Sequence, residues 1–199
     1  MGTPKEWLEL DGEPMLARVV RIVAASFQPV IVAARPNQPL PPLPQPVEIV
    51  HDALDDTGPL AGIEAALASL GGRADAAFVT GCDHPFLTPA FLRRLVESLG
   101  DAAALVLKDE GRIRPLPGIY RVSTLLQLRE LLADGERRAH FFADRCAAKR
   151  INVLDLRSVD PNLDSLQNIN DADQYAAAKL RMVRPIEFEL CDQGPPPER

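Results

Sequence analysis

Cysteine, long apolar runs and surplus positive charge are all scarce in this sequence, and each scarcity removes a class of protein. The three cysteines, Cys82, Cys146 and Cys191, lie far apart and share no paired spacing. Neither a disulfide framework nor a structural zinc site is supported, and they read as reduced thiols. No apolar stretch approaches the roughly 20 residues needed to cross a bilayer, and Met1 to Glu6 lacks a signal peptide's apolar segment. The expected compartment is therefore the cytosol, with no membrane partner. Lys and Arg number 22 against 28 Asp and Glu, for a net charge of -6. Counterion release on nucleic acid needs a basic face, so no nucleic-acid partner is expected either.

What is present is ordinary globular composition: 46% hydrophobic and 25% charged residues over 199 positions, enough for one domain with a sizeable core. Proline is the unusual count, at 19. Arg35 to Pro46 cannot be a helix or a central strand, because proline lacks the amide donor, and reads as an extended surface loop. Pro14, Pro59 and Pro89 instead precede apolar residues at helical spacing and fit the first position of a helix. Helices are predicted from about Pro14 to Ser26, from Pro59 to Leu70, after Thr88 as far as Leu99, over Ser123 to Leu132, Arg138 to Ala148 and Asp171 to Met182. Between them, short continuous apolar runs predict strands at Val30 to Ala34, Val47 to Val50, Ala76 to Thr80, Ala103 to Leu107, Pro117 to Val122 and Ile151 to Leu154, read as buried on both faces. Alternation of this kind predicts an α/β fold with a mostly parallel sheet and helices on both faces.

In open α/β sheets ligands bind beyond the carboxyl ends of strands, which directs attention to four places. At Val79 to Leu87, Asp83 follows a buried run. A carboxylate there either holds Mg²⁺ over a nucleotide's phosphates or merely closes a turn. His51 and Asp52 lead into Gly58-Pro59-Leu60-Ala61-Gly62, where the backbone can approach a ligand at a helix N-terminus; an ordinary glycine-rich helix start is the plainer reading. Lys5 stands near the start of the chain. Asn168 and Asn170 alternate just before the last helix, where capping explains at least Asn170. His51, His84 and His140 form no helical pair, which leaves a zinc hydrolase well behind magnesium held by oxygens. Cys82 reads as a small buried residue behind Asp83.

Taken in order, these motifs resemble the molybdenum cofactor guanylyltransferase family, to about Leu180. Met1, Gly2, Lys5, Leu10, Gly12, Pro14 and Met15 match its R-M-G-x-x-K and L-x-G-x-P-L segments. Gly58 to Gly62 match G-P-L-A-G, Cys82, Asp83 and Pro85 match C-D-x-P, and Pro115 to Tyr120 match a proline before an aliphatic strand. Gly135 to Arg138 match G-E-R-R, and Asn168 with Asn170 match N-x-N.

The resemblance implies a three-layer, Rossmann-like nucleotidyltransferase domain over residues 1–182, followed by an extension at 183–199 in which Ile186, Phe188 and Leu190 suggest an edge strand. It implies transfer of GMP from GTP to molybdopterin with release of pyrophosphate. Mg²⁺ would be held by Asp83, with Asp52 a lesser helper, and Lys5 would stabilise charge on the triphosphate. Asp52, Gly58, Pro59, Leu60, Ala61 and Gly62 would lie by the nucleotide, and Asn168, Asn170 and Arg114 by the acceptor. Arg114 stands where relatives often carry His, and Ala33 and Ala34 where some carry Asn. Passing contact with molybdoenzymes or other cofactor-synthesis proteins would follow. Cytidylyl transfer from CTP and a non-catalytic nucleotide-binding role are the alternatives.

The family's pattern opens with a strand and a glycine-rich loop ahead of the residue matching Met1, and the expectation is a start upstream, leaving the domain N-terminally incomplete. In the family that strand lies between those matching Val30 to Ala34 and Ala76 to Thr80. The two would then face each other across about twice the usual 4.8 Å spacing or close up. A chain beginning at Met1 is accordingly expected to bind GTP poorly, and tight binding in a calorimetric titration is the contrary result.

Overall fold

The computed structural model describes residues 2–44, 46–52 and 58–183. The suggested edge strand at Ile186 to Leu190, Cys191 and the acids Asp55 and Asp56 lie outside these. A single 3-10 turn, Lys5–Trp7, leads into a two-residue hairpin of β1 (Glu9–Leu10) and β2 (Glu13–Pro14), and then α1 (Met15–Ala24). Two strands follow, β3 (Ile31–Ala34) and β4 (Glu48–His51), paired in parallel. After α2 (Pro59–Ser69) come β5 (Ala76–Val79), α3 (Pro89–Leu99), β6 (Ala104–Asp109) and β7 (Arg112–Arg121). The chain ends in α4 (Leu125–Ala133), α5 (Ala139–Arg145), β8 (Lys149–Asn152) and α6 (Ala172–Val183).

The proline reading holds at two of its three helix starts. Pro59 and Pro89 open α2 and α3, and the Thr88 hydroxyl accepts from the Phe91 amide at 3.2 Å as an N-cap. Pro14 instead ends β2 in an extended conformation, and α1 begins at Met15. The mostly parallel sheet needs correction. The main sheet runs β5-β7-β6-β8, and β7 is antiparallel to both neighbours while β8 is parallel to β6. The cause is local: Glu110 and Gly111, both at positive φ, turn β6 straight back into β7, a hairpin where a parallel fold would need a crossover. Strands buried on both faces are also fewer than expected. β6 is buried along four residues, but β4 is an edge strand whose Ile49 is 51% exposed.

Alternate residues of each strand serve opposite faces. Leu105, Leu107 and Ile119 pack with Phe91, Leu92 and Leu95 of α3 and Val19 of α1. Ala104, Val106 and Tyr120 pack with Leu60, Ile63 and Leu67 of α2, Leu128 of α4 and Phe142 of α5. Helices therefore cover both sides, in three layers. Tyr120 and Phe142 stack with ring centroids 5.0 Å apart, and the Tyr120 hydroxyl donates to the Pro115 carbonyl at 2.8 Å.

The other two-stranded parallel piece does not join this sheet: among the described residues β3 pairs with β4, β5 pairs with β7, and β3 and β5 do not pair with each other. Between them runs a cavity of about 430 Å³, lined from α1, α2, β3 and β5. Of the two expected outcomes, the strands stand apart and have not closed up.

Gly118 lies in β7 where it passes β6. A Cβ there would meet the Pro115 carbonyl oxygen at 2.6 Å and that of Leu105 at 3.0 Å, both backbone atoms that cannot swing away. Gly118→Ala is expected to cost about 1–3 kcal/mol, an overpacking penalty readable as a lowered midpoint in urea unfolding.

Candidate active site

The site forms where the chain leaves β5. The strand ends at Val79, and Thr80, Gly81 and Cys82 carry the backbone to Asp83. A Cβ at Gly81 would press on the Asp83 Oδ1 atom, so glycine leaves the carboxylate room to lie over this turn. Arg18 of α1 donates from Nε to the Pro85 carbonyl at 3.0 Å and fixes the far side of this turn.

The distant motifs converge on it. Lys5 Nζ lies 3.8 Å from Asp83 Oδ2 and donates to Asn170 Oδ1 at 2.5 Å. The Ile169 amide, between the two asparagines, donates to the Asp83 carbonyl at 2.9 Å. The N-terminus, the end of β5 and the segment before α6 thus meet within hydrogen-bonding distance. A small apolar cluster holds them there: Leu8, Leu10 and Met15 pack with Ile169 and Ala178, all buried. Burying each of the larger side chains contributes roughly 1.5–3 kcal/mol. The Tyr175 hydroxyl donates to the Glu9 carbonyl at 2.7 Å, tying α6 to the hairpin.

Burial by itself raises the Asp83 pKa, but the adjoining His84 imidazole and the nearby Lys5 ammonium outweigh it, so the carboxyl sits below its ordinary value. His84 is 5% exposed, with Nδ1 3.0 Å from Asp83 Oδ1. Its approach is close yet poorly aligned for a hydrogen bond, and the imidazole is best described as an electrostatic neighbour of the carboxylate. Sequence reasoning had set His84 only against zinc. Among the described residues no group of three or more His, Cys, Asp or Glu side chains could jointly hold a metal.

Asp52 stands at the end of β4, beside the cavity, with Oδ1 buried and without a partner among the described residues. Gly58, Pro59 and Gly62 line the same cavity, as do Gly81 and Cys82. Gly58 has φ +65 and a Cβ there would lie 3.0 Å from the Arg137 carbonyl oxygen, so the glycine lets the Gly135 to Arg138 loop abut the start of α2. In that loop Glu136 accepts from the Arg137 and Arg138 amides and from the Arg138 guanidinium, which holds its carboxyl down to about 2. The Leu60 and Ala61 side chains are turned into the core, at 0% and 3% exposure. What the start of α2 offers a ligand is backbone.

Asn168 is half-buried one residue before Ile169, and Asn170 is exposed. Arg114 is held by Asp109 at 3.1 Å and by the Leu166 carbonyl at 3.1 Å, which places it against the segment entering Asn168. Two further contacts left no sequence signal. Gln38 donates to Glu6 at 2.6 Å and the Trp7 indole to the Pro39 carbonyl at 3.1 Å, pinning the proline-rich loop beside Lys5.

The alignment of known sequences decides the family. The model of the MobA-like NTP transferase domain matches residues 1–149. The chain belongs to this family. A molybdenum cofactor guanylyltransferase of Desulfosudis oleivorans is 31% identical over 89% of this chain and 87% of its own length. A probable molybdenum cofactor guanylyltransferase of Mycobacterium ulcerans is 38% identical over 78% of each. Among solved structures, the molybdopterin-guanine dinucleotide biosynthesis protein A of Archaeoglobus fulgidus superposes with a TM-score of 0.73 at 25% identity, covering 90% of this chain and 91% of that one. The 2-C-methyl-D-erythritol 4-phosphate cytidylyltransferase of Thermus thermophilus, at 14% identity and a TM-score of 0.68 over 91% of this chain and 94% of that one, shares the fold. The α/β nucleotidyltransferase fold of the MobA-like family is thus the frame in which Lys5, Asp83 and Asn170 meet.

Cys82 is half-buried beside Asp83, neither fully enclosed as expected nor activated. Burial first, then the negative charge of Asp83, pushes its thiol up to about 11. The thiolate is the nucleophile, so alkylation should be slow at pH 7.5 and accelerate about tenfold per pH unit toward 11. Peptide-resolved mass spectrometry after iodoacetamide treatment checks this; rapid labelling of Cys82 at pH 7.5 is the contrary outcome.

Proposed function

We propose that the protein transfers GMP from GTP to molybdopterin, releasing pyrophosphate. The observation that carries the reading is the meeting of Lys5, Asp83 and Asn170 at the end of β5 in a chain of this family. Relatives whose names state this activity cover most of the chain, which supports GTP and molybdopterin as substrates.

The reaction joins an acceptor phosphate oxygen to the α-phosphorus of GTP as the bond from that phosphorus to the bridging oxygen of pyrophosphate breaks. A phosphate monoester has a second pKa of about 6 and is mostly ionised at neutral pH, so no general base is demanded. What the site must supply is charge and orientation. Lys5 provides a cation on a flexible stem, its ammonium donating to Asn170 Oδ1, and this cation would stabilise charge growing on the triphosphate. Asp83, its pKa held below the ordinary value, would supply a hard oxygen ligand, and Asp52 a second carboxylate whose buried Oδ1 has no partner among the described residues. One or two carboxylates fit Mg²⁺, which binds through few protein oxygens together with phosphates and water. When bound, Mg²⁺ neutralises phosphate charge in the ground state and the transition state. The free amides at the start of α2 would lie by the nucleotide, and Asn168, Asn170 and Arg114 by the acceptor.

Pyrophosphate release with GTP, molybdopterin and Mg²⁺ tests the reading, run on this chain and on a version extended before Met1 by a strand and a glycine-rich loop. GTP should support turnover in preference to CTP. Asp83→Asn and Lys5→Met should each lower it roughly 10²–10³-fold with melting little changed, since the Lys5–Asp83 pair is partly exposed and contributes little to stability. Absence of turnover with both nucleotides in both versions refutes the proposal.

A further inference from the structure

The protein treats the two oxygens of the Asp83 carboxylate unequally. Oδ2 lies 3.8 Å from the Lys5 ammonium, in a pair that is partly exposed. Oδ1 is enclosed: a Cβ on Gly81 would press on it, and His84 Nδ1 stands 3.0 Å away. The imidazole itself is buried, and neither of its nitrogens has a hydrogen-bond partner among the described residues. Burying a polar group in this way is a cost, and a leucine would fill much the same space without it. The ring also stands on a fixed frame. On one side of it the Asp83 carbonyl accepts from the Ile169 amide at 2.9 Å, and on the other the Pro85 carbonyl accepts from Arg18 Nε at 3.0 Å.

We infer that His84 is a positioning residue for this carboxylate: its imidazole confines Asp83 Oδ1 and so leaves Oδ2 as the oxygen offered to a divalent cation. The inference rests on Asp83 as a metal ligand in the proposed reaction and adds His84 to that site. A carboxylate turns about the bond to its Cβ, exchanging its two oxygens, and an ammonium at 3.8 Å on a flexible stem does little to stop it. A donor fixed beside one oxygen removes that freedom, provided that Nδ1 carries the ring proton. The contact is close but out of line, and hydrogen bonds in active sites often tighten only when substrates bind. Carboxylates that ligate metals are commonly hydrogen-bonded in turn, and losing such a partner weakens metal binding about 10–100-fold. The buried ring thus gives up stability for a carboxylate held in one orientation.

The test reads metal binding directly and needs no turnover. Mn²⁺ is the probe, since it takes the same hard oxygen ligands as Mg²⁺, and the free ion is counted by electron paramagnetic resonance. The full chain is titrated as wild type, Asp83→Asn, His84→Leu, His84→Gln and His84→Asn, and each protein is also melted. Asp83→Asn should lose the site. His84→Leu should bind Mn²⁺ at least tenfold more weakly with a melting temperature no lower than wild type, the reverse of what loss of a packing residue does. His84→Asn, whose amide nitrogen can take the place of Nδ1, should bind within about threefold of wild type, whereas the His84→Gln amide reaches the place of Nε2 and should bind as weakly as His84→Leu. Less than tenfold loss in His84→Leu and His84→Gln, or equal loss in all three His84 variants, overturns the role of His84 and leaves Asp83 a ligand. Binding that is absent in wild type or unchanged by Asp83→Asn overturns the reading of Asp83 as a ligand and the inference with it, while pyrophosphate release remains the separate measure of the transfer reaction.

Discussion

The contact between the Ile169 amide and the Asp83 carbonyl, with Lys5 reaching across from Asn170, is the constraint on which the rest of the site depends. It joins three segments that have no neighbour relation in sequence, at residues 5, 83 and 169–170. None of the three lies in an α-helix or a strand at that point: Lys5 opens the 3-10 turn, and Asp83 and residues 169–170 are in loops. Apolar contacts a few residues away set their course: Leu8 and Met15 on one side, Ile169 and Ala178 on the other. The polar arrangement is thus maintained by burial, and the ion pair itself adds little beyond its position.

The same division of labour explains the proportions of the molecule. The main sheet and its helices are closely packed, with Leu105, Leu107 and Tyr120 at 0% exposure. The β3-β4 piece is different. It is held by α1 and α2 and by the Arg73–Glu48 ion pair, while β3 borders the cavity. Asp52, which follows β4, and Cys82, which follows β5, line that cavity from opposite sides, so its width sets the distance between the two strand ends.

Much of this was readable in the sequence, for a physical reason. Helix starts marked by Pro59 and by Thr88-Pro89, and stops marked by Gly71 and Gly100, are local signals that survive folding unchanged. Asp83, Lys5 and Asn170 could be named because their residue types at the ends of apolar runs answer the needs of phosphate chemistry, and because the order of motifs resembles a known family. Strand direction was harder. The hairpin between β6 and β7 turns on Glu110 at φ 46 followed by Gly111, a pair that reads equally well as an ordinary loop. For Leu60 and Ala61 the motif says nothing of side-chain direction, and both side chains are turned into the core. The Arg18 contact to Pro85 depends on a tertiary neighbour that no spacing reveals.

The dependence of the site on α6 also has a temporal side. During synthesis β5 and Asp83 leave the ribosome well before Ile169, Asn170 and Tyr175 exist, and the N-terminal hairpin has nothing to dock against until then. The nascent polypeptide therefore carries Lys5 and Asp83 in an unassembled form until the segment leading into α6 emerges and brings them to order.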